Sequence, residues 1–400
     1  MARFESYLGF VVLMVVAVGF LSVSFIQTEP KLESPQIFFN SSETMTPTVS
    51  SLSDASQERL DQLFSLLREQ VTSLSHVQKC LDLVLDGKTD NEQNGCPTHE
   101  FVMTTFDAGG LGNKMSEYAT LLAISTLTGF TPVLSEDHYN VLIEVFPSIP
   151  FNGSQISKSC MEAAKPLNPG NLPETMAFLA TRPQDRMRNI RLNTYPNAVF
   201  YYDKVKGILK DHFTFMPKVA EPAEEFLRAV RDQIKSTVSE PVWVGVHVRR
   251  TNYKHHLNVT QNGTLVTLEY FQRAMVKLKE TLKVSNPSFD PSNLVYVVSS
   301  DDVPWIKTNF RTLAKAEIII YAADAWKGSF KFQPKFLDMC IMSKCNHSIF
   351  DYGTFGFWGA YLADGHTILS HNIGSMENSE VENIKPAKLS NWHFIDAHGA

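Results

Sequence analysis

The chain is poor in cysteine and in basic charge, and it has no more glycine or proline than an ordinary globular protein. Its 400 residues include 5 cysteines, 20 glycines and 20 prolines, and the formal net charge is −6. So few cysteines, with no Cys-x-x-Cys pair, exclude a disulfide-dense scaffold and a common zinc site. The absence of a basic excess argues against a nucleic-acid partner. The 44% hydrophobic content and the length instead indicate more than one folded domain.

Long uncharged apolar runs are also absent, except for one near the N-terminus. Residues 7–26 contain no charge over 20 positions, and as a helix they would span about 30 Å, the thickness of a bilayer core. We therefore predict a cytoplasmic tail at 1–6 and an uncleaved signal-anchor at 7–26; a cleaved signal peptide is the alternative. Both place the rest of the chain in the secretory lumen.

Glycosylation sequons agree with a lumenal location. Asn-x-Ser/Thr occurs at Asn40, Asn152, Asn258, Asn262 and Asn346. Each motif is short and unspecific, and Asn346 lies in a segment that we predict to be buried, which makes it the poorest acceptor of a glycan.

The odd number of cysteines leaves at least one thiol unpaired or intermolecular. Cys80 is our candidate for an interchain bond.

Residues 27–100 have the composition of a stem. The first part, 27–53, is polar and lacks periodic apolar positions, which is typical of a flexible spacer. In 54–86, seven of eight positions spaced by four and three are apolar: Leu60, Phe64, Leu67, Val71, Leu74, Gln78, Leu81 and Leu85. This is a heptad pattern, so we predict a coiled-coil-like helix. It has two interpretations: a stem that forms a homodimer, or an amphipathic helix lying on the folded body.

The folded body begins near residue 101, and we predict two α/β subdomains in it, at 101–235 and 236–400. In the first, a strand-like run at 101–106 leads into a glycine-rich turn and a helix at about 114–127. The turn contains Gly109, Gly110 and Gly112. Such a turn brings backbone N–H groups to a helix N-terminus and suits an anionic ligand, although a tight turn without a ligand is the other interpretation.

Beyond residue 240, apolar strand-like runs alternate with helical patterns. We predict strands at 242–250, 294–301, 317–322, 347–351 and 366–370, with helices at 267–282, 305–313, 334–343 and after residue 353. This alternation is typical of a doubly wound parallel sheet. Ligands of such sheets bind beyond the carboxyl ends of the strands, so the residues that follow the strands are the candidate site residues.

Two of these strand ends carry groups suited to a diphosphate. They are His247, Arg249 and Arg250 after the first strand, and Tyr352, Gly353, Thr354 and Gly356 after the fourth. A guanidinium, a hydroxyl and free N–H groups at a helix start would bind a diphosphate and stabilise the charge that it gains as a leaving group. A structural ion pair is the other interpretation of Arg249.

Two further pairs of polar residues have a structural and a functional interpretation. Asp301-Asp302 is either a metal-binding carboxylate pair or the N-cap of a helix that begins beside Pro304, and we favour the cap. His255-His256 lies beside two sequons in a polar segment, which predicts a surface position and not a ligand.

Three blocks of this sequence resemble the galactoside α1,2-fucosyltransferases. HVRRTNY at 247–253 resembles their HxRR-G-D-Y motif, and GGLGNKMSEYATLLA at 109–123 resembles their G-R-x-G-N-Q-M segment. CNHSIFDYGTFGFWGAYLADG at 345–365 is very similar to their C-N-H-[ST]-I-x-x-x-G-T-F-G-x-W-x-A-Y-L block. The blocks follow the family order and cover most of 101–370.

The resemblance implies a GT-B-like fold of two Rossmann-type domains in a single-pass type II Golgi membrane protein. It further implies an inverting transfer of L-fucose, without a metal or other cofactor, from GDP-β-L-fucose to a terminal galactose of a glycan. By the same resemblance Arg249 binds the β-phosphate, His247 and Arg250 contact the nucleotide, and Asp338 reads guanine N–H groups. The phosphate-binding turn is Thr354, Phe355 and Gly356, and Asn113 lies near the fucose and the acceptor.

The sequence departs from the family pattern at two places. Thr251-Asn252 replaces the Gly-Asp that follows the paired arginines, and Lys114 replaces the glutamine after Asn113. An amide orients a hydroxyl but does not accept its proton at neutral pH. Glu117, one helical turn beyond Asn113, is therefore our candidate for a substitute base; an exposed helix carboxylate is its other interpretation. The departure leaves open a different acceptor or linkage, or a non-catalytic lumenal protein that binds GDP or glycan.

Overall fold

The computed structural model describes residues 101–104, 109–128, 130–150, 153–154, 157–168, 189–192, 197–326, 333–374 and 377–399. The predicted tail at 1–6, signal-anchor at 7–26 and stem at 27–100, with its helix at 54–86, lie outside these residues. Within them, no helix combines the length and the apolar character needed to cross a membrane.

The first part of the described chain forms a five-stranded sheet. Its elements are β1 (Phe101–Thr104), α1 (Leu111–Thr128), β2 (Thr131–Ser135), α2 (Glu136–Ile143), β3 (Gly153–Ser154), α3 (Lys158–Ala163), β4 (Lys165–Leu167) and β5 (Asn189–Leu192). The strand order is β3-β2-β1-β5-β4, and every pairing is parallel. Ser135 caps α2 by accepting a hydrogen bond from the His138 backbone N–H, and two acidic residues follow in its first turn.

Three helices connect this sheet to the second one: α4 (Val199–Tyr202), α5 (Lys206–His212) and α6 (Pro217–Ile234). The helix α6 begins with proline, whose missing N–H costs nothing at that position, and it buries one apolar face. That face packs on the main hydrophobic core through Val219, Ala223, Leu227 and Val230.

The remaining elements form a six-stranded sheet. They are β6 (Val242–Val248), α7 (Tyr253–Gln261), α8 (Leu268–Ser285), β7 (Leu294–Ser300), α9 (Val303–Asn309), β8 (Ile318–Tyr321), α10 (Pro334–Ser343), β9 (His347–Phe350), α11 (Thr354–Ala363), β10 (Thr367–His371), α12 (Ser379–Ile384) and β11 (Trp392–Asp396). The order is β11-β10-β9-β6-β7-β8, and all pairings are parallel. The central strands β6 and β7 are buried over almost their whole length and begin with uninterrupted apolar runs, as expected for parallel strands with both faces covered.

The two sheets confirm the prediction of a parallel α/β architecture. The helix predicted at 334–343 begins and ends at those residues, and the strands predicted beyond residue 240 end within three residues of the observed bounds. The strand β11, at the edge of the second sheet, was not predicted. The boundary at residue 235 falls between the strands of the two sheets, and its residue number stays a prediction.

One hydrophobic core joins the two halves through the contact between α1 and α11. Trp358 stacks on Tyr202 with ring centroids 5.5 Å apart, and its indole N–H donates to the Ser116 hydroxyl at 2.8 Å. Gly112 packs so closely on α11 that an added Cβ would lie 2.6 Å from the carbonyl carbon of Thr354. The glycine is therefore required by a close approach of two backbones.

The described sequons and cysteines have distinct environments. Asn258, Asn262 and Asn346 are exposed, so the expectation that Asn346 is buried was wrong; it precedes β9 at the surface and its side-chain oxygen accepts the Trp243 backbone N–H at 2.8 Å. Cys160 is disulfide-bonded. Cys340 and Cys345 are free and buried. Asn40, Asn152 and Cys80 lie outside the described residues.

Candidate active site

A cavity of about 940 Å³ lies at the carboxyl ends of β6 and β7. Its walls include the residues that begin α1, α10 and α11, together with residues of α7 and α12. Because all strands of the second sheet are parallel, their carboxyl ends share one edge, which is where ligands of such sheets bind. The predicted residues that line it are Asn113, His247, Arg249, Asp338, Thr354 and Phe355.

Arg249 is held at the cavity wall by three partners. Its guanidinium forms an ion pair with Asp301 and donates a hydrogen bond to the side-chain oxygen of Asn252 at 2.6 Å. Its backbone N–H donates to the buried carboxylate of Asp351 at 2.8 Å. The guanidinium is thus oriented before any ligand binds. Arg249 forms a structural ion pair, and because that pair lies in the cavity wall the same guanidinium is also placed to bind a diphosphate.

Asp301 organises the whole turn that follows β6. Besides Arg249, it accepts hydrogen bonds from the Arg250 backbone N–H at 2.8 Å and from the Thr251 hydroxyl. Its neighbour Asp302 caps α9 by accepting a hydrogen bond from the backbone N–H of Trp305 at 3.1 Å, as the N-cap interpretation predicts. In the part of the chain that the structure describes, no group of three or more His, Cys, Asp and Glu side chains is arranged to hold a metal ion.

Arg250 has a structural environment and does not line the cavity. Its guanidinium carbon lies 3.8 Å from the ring centroid of Trp305, and its Nε lies 3.7 Å from the Asp302 carboxylate. The guanidinium also donates to the Val266 carbonyl oxygen at 3.4 Å, whereas its Nε is buried without a hydrogen-bond partner among the described residues. An aromatic face, a carboxylate and a backbone carbonyl therefore hold the group outside the cavity. The expected nucleotide contact of Arg250 is therefore not part of the observed cavity wall.

His247 is buried at the base of the cavity and is only 4% exposed. Burial, with a further contribution from the Arg249 charge, lowers its pKa to about 3. The imidazole is therefore neutral at physiological pH. Its Nδ1 has no hydrogen-bond partner among the described residues. Gly356 packs against the ring, since an added Cβ would lie 2.9 Å from Nδ1, and so it supports His247 from behind.

The N-terminus of α11 opens into the cavity. Gly353 precedes it with a φ of 87°, a conformation that favours glycine, and Thr354 begins the helix. The Thr354 hydroxyl donates a hydrogen bond to the Asn113 side-chain oxygen, which connects the glycine-rich turn to α11. The unpaired N–H groups of a helix start carry partial positive charge, so this end of the cavity suits an anion.

A buried carboxylate lies on another wall of the same cavity. Asp338, on α10, is 5% exposed and accepts a hydrogen bond from the indole N–H of Trp326 at 2.9 Å. Burial raises its pKa to about 7, and the Trp326 hydrogen bond opposes that rise. A carboxylate with remaining acceptor capacity suits a ligand that presents N–H donors.

Glu117 is not among the residues that line the cavity. It is 0% exposed, and its carboxylate lies 3.6 Å from Nδ1 of His138, on α2. The expectation of an exposed helix carboxylate was therefore wrong. The structure also gives no geometric support to Glu117 as a base, because it contacts α2 and not the cavity.

Several lining residues were not identified as site residues from the sequence, among them Trp326, Glu380 and His256. Trp326 and Glu380 lie in segments without a recognisable motif, and His256 was predicted to be at the surface. Glu380, on α12, is 5% exposed, and burial raises the pKa of its carboxyl. Backbone N–H groups, among them that of Gly353, stabilise its ionised form. Tyr253, which also lines the cavity, stacks on Tyr352 with ring centroids 4.7 Å apart.

Together these groups define a class of protein. A parallel sheet, a guanidinium and a helix N-terminus on one part of a cavity, and a buried carboxylate on another, are typical of an α/β protein that binds a nucleotide diphosphate. The family model described as glycosyl transferase family 11 matches residues 70–396, and the chain belongs to that family.

Within this family, the chain is similar to galactoside α1,2-fucosyltransferases. The chain is 29% identical over 319 residues to galactoside alpha-(1,2)-fucosyltransferase 2 of Mus musculus, covering 78% of this chain and 82% of the relative. It is 30% identical over 305 residues to the protein of that name from Hylobates lar, covering 74% and 80%. The resemblance drawn from the three sequence blocks is confirmed.

Solved structures are similar at a greater distance. An Arabidopsis thaliana FUT1 mutant in complex with GDP has a TM-score of 0.41 and 12% identity, covering 81% of this chain and 80% of that one. POFUT1 in complex with GDP-fucose has a TM-score of 0.37 and 11% identity, covering 68% and 95%.

Proposed function

We propose that this protein is an inverting α1,2-fucosyltransferase that moves L-fucose from GDP-β-L-fucose to a terminal galactose of a glycoprotein or glycolipid glycan. The observation that carries the proposal is the placement of Arg249, the α11 N-terminus and Asp338 around one cavity. The family membership and the names of the relatives support the same activity. No cofactor takes part; GDP-fucose is the donor substrate.

The diphosphate of the donor binds between Arg249 and the first turn of α11. As the bond from fucose to the β-phosphate breaks, negative charge grows on the leaving GDP, and a guanidinium with helix N–H groups stabilises it. The guanidinium of Arg249 is a permanent cation, and its second side-chain partner, Asn252, is a neutral amide that offsets none of that charge. A carboxylate at that position would neutralise more of the charge, so the departure from the family motif leaves more of it for the phosphate.

The neutral His247 and the amide of Asn113 complete the donor side. His247 lines the cavity with a neutral imidazole, so it contacts the nucleotide without adding charge. Asn113 is tied to Thr354, which positions its amide beside the α11 N-terminus, where fucose and the acceptor hydroxyl meet. The acceptor oxygen forms its bond to fucose C1 as the bond to the β-phosphate breaks, and the proton of the acceptor hydroxyl passes to water. Because the transition state is oxocarbenium-like, leaving-group stabilisation carries most of the catalysis and a strong base is dispensable.

We further propose that the protein is a single-pass type II Golgi membrane protein with its folded body in the lumen. The uncharged run at 7–26 and the sequons support this placement. The heptad pattern at 54–86 supports a homodimer through the stem.

We expect transfer to be independent of divalent metal. The full-length chain would be incubated with GDP-fucose and galactose-terminated acceptors, with and without EDTA, while GDP release and the linkage of the product are measured. An unchanged rate and an α1,2-linked product are expected. A loss of rate with EDTA that Mn²⁺ restores would contradict metal independence, and a different linkage would contradict the assigned acceptor position.

The Asp338→Asn substitution tests the guanine contact. Loss of a charge-assisted acceptor costs about 1.5–3 kcal/mol, so GDP binding should weaken about 10- to 150-fold at pH 8. Since the ionised form binds N–H donors and the pKa of Asp338 is about 7, GDP affinity of the unaltered protein should fall as pH drops below 7. Calorimetric titration of both forms across pH 6–8.5 separates this effect from ionisation of the phosphate, which both forms share. Equal affinities at pH 8 would remove Asp338 from the site.

A non-catalytic protein that binds GDP is the second candidate, and Asn252 favours it. If the aspartate that relatives carry at this motif is needed as a base, the amide leaves binding intact and abolishes transfer. GDP binding without GDP-fucose turnover on any galactose-terminated acceptor would establish this alternative.

A further inference from the structure

Trp326 is the least explained group in the cavity wall. It ends the 3₁₀ turn Ala322–Trp326 that follows β8, whereas its partner Asp338 lies on α10. The two side chains therefore come from separate elements and meet at the cavity, where both contribute to the lining. None of the three sequence blocks that carry the family resemblance includes Trp326.

The contact between them is a single directed hydrogen bond. The indole N–H of Trp326 donates to Oδ1 of Asp338 at 2.9 Å, and indole has no other polar group. Among the described residues, no second hydrogen bond to the Asp338 carboxylate is present. A carboxylate has about four lone-pair positions, so most of its acceptor capacity is left for a ligand.

A buried carboxyl without this bond would be poorly suited to recognition. It would rotate about its last torsion, and burial would favour the protonated form, which presents a hydroxyl in place of one acceptor. The Trp326 N–H opposes both effects, since it fixes one oxygen and favours the ionised carboxylate.

We propose that Trp326 is a positioning residue that sets the base selectivity of the donor site by holding Asp338 as an oriented acceptor. The inference rests on the proposed function, because it requires a nucleotide base beside Asp338. The base that it selects presents two adjacent N–H donors, a ring N–H and an exocyclic amino group, as guanine does. Adenine has no ring N–H at the equivalent position, so it leaves a buried carboxylate without its hydrogen bonds, which is costly.

Trp326→Phe tests the role of the N–H, because phenylalanine keeps an aromatic ring and lacks the donor. The full-length chain and the variant would be titrated by calorimetry with GDP, with inosine diphosphate, which lacks the exocyclic amino group, and with ADP, across pH 6–8.5. We expect GDP affinity to fall about tenfold at pH 7.5 and the ratio of GDP to inosine diphosphate affinity to move toward one. The pH at which GDP affinity is half-lost should move upward, a change that a merely structural role would not produce.

Two further forms sharpen the test. In Trp326→Phe/Asp338→Asn, the tryptophan substitution should add no loss beyond that of Asp338→Asn, because Trp326 acts through Asp338. Trp392→Phe removes an indole that packs on Phe350 and Phe357 away from the cavity, and it should leave the affinity ratio and the pH midpoint unchanged.

The outcomes distinguish this inference from the proposed function. If the unaltered chain binds GDP with strong preference over ADP, and Trp326→Phe has the same affinities and pH midpoint, the positioning role is overturned and the donor site stands. If the unaltered chain binds none of the three nucleotides, the proposed function itself is overturned.

Discussion

Replacing Arg249 with alanine should reduce fucosyl transfer by about 100- to 1,000-fold, the effect of removing one group aimed at developing charge. Arg249 is the cation at the carboxyl end of β6, and it is already oriented by Asp301 and Asn252. The charge that it meets is larger in the transition state than in bound GDP-fucose. The loss should therefore fall mainly on kcat, with a smaller change in KM. Initial rates over a range of GDP-fucose concentrations would measure both.

Two variants control this experiment. Arg249→Lys keeps the charge but loses the planar, forked donor, and it should fall between the unaltered protein and the alanine variant. Arg228→Ala removes an exposed arginine of α6, outside the cavity, and should have the unaltered rate. Thermal unfolding of each variant would establish that the fold persists. A folded Arg249→Ala protein with full activity would place the diphosphate elsewhere.

Replacing Gly112 with alanine should destabilise the protein and damage the site together. The added methyl group would lie 2.6–2.8 Å from the backbone carbonyl group of Thr354 and the backbone nitrogen of Phe355, closer than any real Cβ contact. Backbone cannot rotate away as a flexible side chain does, so α1 and α11 must separate. Overpacking of this kind costs about 1–3 kcal/mol. The shift also moves Asn113 and Thr354, so we expect lower kcat in the fraction that remains folded.

Gly207→Ala is the matched control for this substitution. Gly207 lies within α5, and an added Cβ there has nothing within 4 Å. Gly207 is the second residue of α5, and alanine at a position with a compatible backbone conformation stabilises a protein by about 0.4–1 kcal/mol through the unfolded chain. This variant should therefore be slightly more stable and fully active. Denaturant unfolding and transfer rates of the two variants would be compared directly. Equal stability of the two variants would show that the α1–α11 contact is looser than the structure has it.

The fold of the second half could be predicted because its strands are buried on both faces. Runs such as 242–246 and 294–298 contain no polar residue, which an amphipathic helix would, and each strand is followed by a helical pattern. The first half offered less. Its strands β3 and β4 have two and three residues, too short for any alternation to register. The edge strand β11 alternates only partly and follows a polar stretch, so its sequence does not distinguish it from a loop.

Some residues of the candidate site could be predicted from the sequence and others could not. Arg249, His247 and Thr354 follow strands, so the rule about carboxyl ends places them without any knowledge of side-chain contacts. Trp326, Asp301 and Glu380 act through partners on other structural elements, and only tertiary structure brings those partners together. Arg250 and Glu117 show the converse. Each has a suitable chemistry and a suitable sequence position, but a stacked tryptophan engages the first, and burial against His138 places the second away from the cavity.

The close packing of Gly112 on Thr354 also has a consequence for folding and unfolding of the chain. The glycine-rich turn before α1 borders the donor site, and it also lies where α1 packs on α11. The main apolar core includes residues of both sheets and of these two helices. The largest cluster of buried apolar residues has members from both sheets, so we expect the two to fold cooperatively and a chain with one sheet unfolded to lack the donor site. A destabilising core substitution in the five-stranded sheet should therefore weaken donor binding. Conversely, bound donor should stabilise strands of that sheet that it does not contact against unfolding.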